Sequence, residues 1–203
     1  MKEIAISTKL HVVDALIIVD VQNAFVSGID AVPESEQLIA SISILLAKAR
    51  SAHAPVIFLQ NDGEMGALDE PYQSGWALFF PPLSNEFVVR KYEDNGFDGT
   101  LLQKILDELK VKSLVICGVL SEMCVTATAR AALKLGYDVL LAHDAHATYN
   151  VPAGPGSNGV PAAMAARVAE WSLGDEIRIC ASVNEVAFKK AGHTYRLIEN
   201  KVL

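Results

Sequence analysis

Three polar residues stand at or just beyond the ends of apolar runs, and their types complement one another. Asp20 closes Asp-Ala-Leu-Ile-Ile-Val-Asp (14–20), Lys91 closes Glu-Phe-Val-Val-Arg-Lys (86–91), and Cys124 follows Leu-Val-Ile-Cys (114–117). A thiol nucleophile needs a depressed pKa, a base for its proton, and donors for the oxyanion that its attack creates. Lys91 can supply the cation, Asp20 the base, and the backbone from Leu120 to Cys124 the donors. The Ala-rich pattern from Met123 to about Gly136 is helical, so Cys124 falls in a first turn directly after a strand. N–H groups there lack intrahelical partners and lie at the positive end of the helix dipole. Both effects favour thiolate, which predicts a lowered Cys124 pKa. Cys117 and Cys180 sit inside strand patterns and read as core residues.

The elements that must position these groups follow from the periodicity. Continuous apolar runs at 14–20, 55–59, 114–117 and 138–142 suit strands buried on both faces, with shorter strands at 86–91 and 176–180. Gly118 is expected to break its strand, and Val21–Phe25 to leave the preceding one as a loop. Apolar residues at helical spacing follow Pro33 (Leu38, Ile39, Ile42, Leu45, Leu46), and further helices are predicted over 100–109, 123–136 and 161–173. Ser182 is read as the cap of a short helix through Lys190. This alternation predicts a three-layer α/β/α fold with a mainly parallel, roughly six-stranded, Rossmann-like sheet. In such sheets ligands bind beyond the carboxyl ends of the strands. That rule selects Asp20, Gln60-Asn61-Asp62, Lys91, the segment to Cys124, and Asp144-Ala-His146. The long polar segment 60–84, with Trp76 and Pro81-Pro82, and the Gly/Pro-rich stretch 151–159 are expected to cover the site.

Composition narrows the classes. The chain of 203 residues is expected to form a single domain spanning 1–203. A net charge of −7 without a Lys/Arg cluster argues against nucleic acid. No run reaches the roughly 18 apolar residues of a membrane span, and Met1–Lys9 lacks the apolar core of a signal peptide. Three cysteines with apolar flanks do not suggest a disulfide scaffold. The expectation is a cytoplasmic protein acting on a small molecule.

Four stretches resemble the isochorismatase-like cysteine hydrolases, the family that includes nicotinamidases and N-carbamoylsarcosine amidohydrolase. They are Leu-Ile-Ile-Val-Asp-Val-Gln-Asn-Ala-Phe (16–25), Val-Arg-Lys-Tyr (89–92) with Phe-Asp-Gly-Thr (97–100), the segment Ile116–Arg130, and Asp144-Ala145 with Thr148. The resemblance implies the isochorismatase-like hydrolase fold, with Cys124 as nucleophile, Asp20 as base and proton shuttle, and Lys91 as the electrostatic partner of both. It also implies a cis peptide at Val119–Leu120 and an oxyanion held by the backbone N–H groups of Leu120 and Cys124. The implied reaction is hydrolysis of a small C–N amide-type bond through a thioester. The resemblance also implies a homodimer or homotetramer, since relatives of this fold usually assemble so.

One departure from the family matters. Its nicotinamidases carry a metal-binding Asp-x-His and a further His after the second strand, where this chain reads Gln60-Asn61-Asp62-Gly63. No histidine lies between His53 and His143, so imidazole ligands are missing where that metal would need them. No metal and no cofactor are therefore expected. The stretch with Asp62-Gly63 and Gly75-Trp76 is closer to metal-free amide hydrolases of the family, a group that includes streptothricin hydrolase-like enzymes. Phe25, Gln60, Asp62 and Trp76 are the candidate substrate-binding residues, and His146 reads as a structural or interface histidine. Two alternatives stay open: vinyl-ether hydrolysis of isochorismate, which needs no cysteine, and a non-catalytic binding module that keeps the fold.

Overall fold

A strand with no polar face must be covered on both sides, and the long apolar runs of this chain are. The computed structural model describes residues 10–190, so the reading of Met1–Lys9 lies outside the described residues. The elements are β1 (His11–Val13), β2 (Ala15–Val19), α1 (Asn23–Val26), α2 (Ser35–Ser51), β3 (Val56–Asn61), β4 (Phe87–Lys91), α3 (Leu102–Glu108), β5 (Ser113–Val119), α4 (Thr126–Lys134), β6 (Asp138–Ala147), α5 (Ala162–Trp171), β7 (Arg178–Cys180) and β8 (Val186–Phe188). Six strands form one sheet in the order β4-β3-β2-β5-β6-β7, every pair parallel. The α/β class and the parallel six-stranded sheet thus match the expectation.

Alternation along each strand feeds two cores. Leu16, Ile18, Val56, Phe58, Val115 and Cys117 pack with α2 through Ile42, Leu45 and Ala49. Ile17, Val19, Ile57, Leu59, Leu114 and Ile116 pack on the other face with Leu102, Leu106, Ala129 and Ala132 of α3 and α4. Each fully buried aliphatic side chain stabilises by roughly 1.5–3 kcal/mol. The chain begins the sheet at β2, runs outward to β4, then returns to β5 on the other side of β2. The carboxyl ends of β2 and β5 flank the point where the direction of winding reverses, the usual place for a ligand crevice.

Several local expectations are corrected. Gly118 does not break β5; it stays in the strand at φ 123°, and a Cβ there would meet the carbonyl oxygen of Val19 on β2. The glycine permits close approach of two strands rather than an exit. Val21–Phe25 is not all loop, because Asn23–Val26 forms α1. The helix expected from Met123 begins earlier, as a π-turn over Ser121–Val125 that runs into α4. Ser182 does cap, accepting from Asn184 N at 3.2 Å, but it closes only a 3-10 turn over Val183–Glu185. The chain then enters β8, which pairs with β1 in a small parallel sheet and buries Val186 and Phe188. The strand ending at Cys180 is therefore not the last. Among the described residues no helix is long and apolar enough to cross a membrane.

Candidate active site

The three strand-end groups meet. β4 pairs with β3 so that Lys91 lies opposite Asn61, and the lysine side chain turns inward with no exposure. Its Nζ lies 2.8 Å from Oδ2 of Asp20 and 3.4 Å from Sγ of Cys124. It also donates to Oδ1 of Asn61 at 3.1 Å and to the carbonyl of Glu93 at 3.2 Å. Asp20 follows the last residue of β2 in a left-handed conformation, φ 51°. Aspartate tolerates that region better than most residues, and the turn presents its carboxylate at the crevice. Oδ1 of Asp20 is buried and has no hydrogen-bond partner among the described residues. Cys124 rides on the π-turn, whose start follows a cis peptide between Val119 and Leu120.

The electrostatics reverse one expectation. Cys124 is not a depressed thiol: burial pushes its pKa up, Asp20 adds to the rise, and Lys91 only partly offsets it. The helix-start argument fails here because the thiol is buried and, second, two carboxylates face the sulfur; besides Asp20, Oδ1 of Asp94 accepts from Sγ at 3.4 Å. Asp20 is raised to about 6, by burial first, with Lys91 opposing. Burial disfavours the Lys91 ammonium, but Asp20 and the cysteine sulfur outweigh it and raise the Lys91 pKa. The resting cluster near neutral pH is therefore thiol, carboxylate and ammonium. Its carboxylate is poised to accept a proton at little cost.

The four candidate substrate-binding residues are placed differently. Gln60 is buried, and its Nε2 donates to the Trp76 carbonyl at 2.9 Å. Trp76 Nε1 donates to Oδ1 of Asp62 at 2.8 Å, and Arg90 lies 2.7 Å from Oδ2 of Asp62. The Arg90 guanidinium also stands over the Trp76 ring at 5.0 Å. The recorded polar contacts of Gln60, Asp62 and Trp76 thus anchor the 60–84 segment to the sheet. Phe25 packs against the α2 core. Asn61, already singled out by its strand-end position, and Asp94, which the sequence reading passed over, also belong to the cluster. Asn61 holds Lys91 and in turn donates to Oδ2 of Asp69 at 2.7 Å. The signal for it was its position at a strand end; Asp94, on the loop after Lys91, had no comparable signal.

An Isochorismatase domain model matches residues 14–171. The chain belongs to the isochorismatase family, and its parallel α/β sheet carries the Asp20–Lys91–Cys124 cluster at the strand ends. It is 55% identical over 179 residues to a streptothricin hydrolase of Streptomyces noursei, across 87% of this chain and 65% of that protein. A second streptothricin hydrolase of the same organism is 54% identical over 182 residues, across 88% and 72%. The chain thus spans between 65% and 72% of the length of these curated relatives. Among solved structures, an isochorismatase from Pseudomonas putida KT2440 superposes with a TM-score of 0.79 at 29% identity, covering 85% of this chain and 90% of that one.

Proposed function

We propose that this protein is a cysteine-dependent hydrolase of a C–N amide-type bond in a small molecule. The observation that carries the reading is the contact of Lys91 Nζ with both Asp20 and Cys124 at the strand ends. The similarity to streptothricin hydrolases makes streptothricin the first substrate to assay.

The cycle follows from the charges. As Sγ of Cys124 attacks the acyl carbon, its proton passes to Asp20, whose pKa of about 6 suits a base that must later return the proton. The developing oxyanion is received by the N–H groups of Leu120 and Cys124, at the start of the helical segment where donors are unpaired by the helix itself. Collapse of this intermediate breaks the C–N bond, and protonated Asp20 gives its proton to the leaving nitrogen. Water then attacks the thioester, Asp20 takes the water proton, and collapse of the second oxyanion returns that proton to the sulfur as the acid leaves. Lys91 stays charged throughout and keeps the carboxylate ionised between turns. Turnover of streptothricin and a panel of small amides by wild type and Cys124→Ala tests the reading. Loss of at least 1,000-fold, a barrier increase of about 4 kcal/mol, is expected; undiminished turnover by the variant refutes it.

A further inference from the structure

Away from Cys124, β6 and α5 bring together two imidazoles and a carboxylate that the proposed chemistry leaves unused. Nδ1 of His143 lies 2.6 Å and Nε2 of His146 3.0 Å from the same oxygen, Oε1 of Glu170. One ligand-competent atom from each residue falls within 4.8 Å of the others. Glu170 is 2% exposed, on a helix face otherwise lined by Ala165, Ala166 and Ala169. A carboxylate so placed needs a cationic or strongly donating partner. Besides the two histidines it pairs with Arg167, whose Nη1 lies 3.3 Å from Oε2 and whose side chain is 55% exposed.

The strand is built irregularly to achieve this meeting. Residues three apart on a regular strand point to opposite faces. Between the β5 pairings Ile116↔Leu141 and Gly118↔His146, however, β6 advances five residues while β5 advances two. That bulge lets both His143 and His146 turn towards α5. His146 also has the outer support expected of a metal ligand. Its Nδ1 pairs with Oγ of Ser121 at 2.9 Å, and that hydroxyl can either donate to the ring or accept from it. Accepting from Nδ1–H would leave the Nε2 lone pair free for a metal.

We infer that His143, His146 and Glu170 form a Zn²⁺ site, distinct from the strand-end cluster around Cys124. Two imidazole nitrogens and one carboxylate oxygen make a donor set suited to zinc. Bonds of about 2.0–2.2 Å in tetrahedral geometry set ligand atoms about 3.3 Å apart. The contacts at 2.6 and 3.0 Å therefore need to open by only about 0.7 and 0.3 Å. His143 and His146 also line a cavity of about 430 Å³ with Glu34, Asp144 and Asn150, which leaves room for water at the fourth position. A metal here would tie β6 to α5 and, through Ser121, to the turn that carries Cys124.

The test is zinc titration of the full chain carrying Cys124→Ser, so that the nucleophile cannot act as a ligand. Calorimetry is expected to give one Zn²⁺ per chain, with a rise in Tm on binding. His143→Ala, at a half-exposed ring, and Glu170→Gln, a neutral isostere, are each expected to weaken binding at least 10-fold while circular dichroism stays unchanged. Ser121→Ala should weaken it less, through loss of ring orientation. Absence of stoichiometric binding, or binding that survives either ligand substitution, overturns the assignment.

Discussion

Replacing Lys91 by methionine isolates the electrostatic claim at the centre of the site. The ammonium lies 2.8 Å from Asp20 Oδ2, with the two side chains 0% and 3% exposed. At an effective dielectric of about 20, that separation corresponds to an attraction of about 6 kcal/mol, before the cost of dehydrating both charges is subtracted. Even half of this, about 3 kcal/mol, equals about two pKa units. Asp20, already lifted to about 6 by burial, would then titrate near pH 8 and be mostly protonated at neutrality. The Cys124 thiol would lose its proton acceptor. The assay is alkylation of Cys124 by iodoacetamide, followed by intact mass from pH 5 to pH 9. Wild type is expected to show a rate that climbs through about pH 6, reporting ionisation of Asp20. Lys91→Met should shift that midpoint upward by about two pH units and slow the reaction at pH 7 by about 10-fold or more. An unshifted midpoint in a folded variant would refute the reasoning, because it would mean that the ammonium does not set the charge of Asp20.

Two further outcomes follow from the same geometry. The folded pKa of Asp20, about 6, lies above its ordinary value of 3.8, so the folded state binds this proton more tightly than the unfolded chain. The group therefore adds stability as pH falls from about 7 to about 4, by about 2 kcal/mol, nearing its full value of about 3 kcal/mol only below the unfolded pKa of 3.8. Urea unfolding of wild type against Asp20→Asn at the two pH values should show this difference, with the variant gaining relatively less on acidification. Gly118→Ala should destabilise by at least about 3 kcal/mol in urea unfolding, since a methyl group meets the Val19 carbonyl and φ 123° suits only glycine.

The parts of this molecule that could be read from its sequence are those with a long physical signal. β2, β3 and β5 announce themselves because strands buried on both faces must be continuously apolar. α2 does so because Leu38, Ile42, Leu45, Leu46 and Ala49 share one stripe. Strand ends then bring out Asp20, Lys91 and Cys124, since a parallel sheet gathers whatever lies at its carboxyl edge. β1 and β8 are three residues each, too short for periodicity to register, and each is secured mainly by the other and by Phe188 in the core. Gly118 looked like a terminator because a glycine's local preference says nothing of the strand pressed against it. The bulge in β6 was equally hidden, since it is defined by pairing with β5.

Charge was the least legible property. The helix-start position of Cys124 predicts a depressed thiol, yet burial raises it, and Asp20 and Asp94, which approach from other elements, add to the rise. Burial and long-range neighbours decide a pKa, and neither is visible in the local sequence. The same holds for Lys91, which is solvated in most sequence contexts but fully buried here by its pairing opposite Asn61. Under the proposed mechanism, the nucleophile is activated during attack rather than beforehand.

The proposal that Cys124 carries the reaction as a thioester is tested most directly by trapping that intermediate. Wild-type protein mixed with streptothricin and quenched in acid within milliseconds should show, by intact mass and peptide mapping, an acyl adduct on Cys124. The adduct should build up in Asp20→Asn if deacylation slows more than acylation, and be absent in Cys124→Ser at the sulfur-bound mass. Turnover of streptothricin with no covalent species on Cys124 at any quench time, together with full activity of Cys124→Ala, would contradict the account.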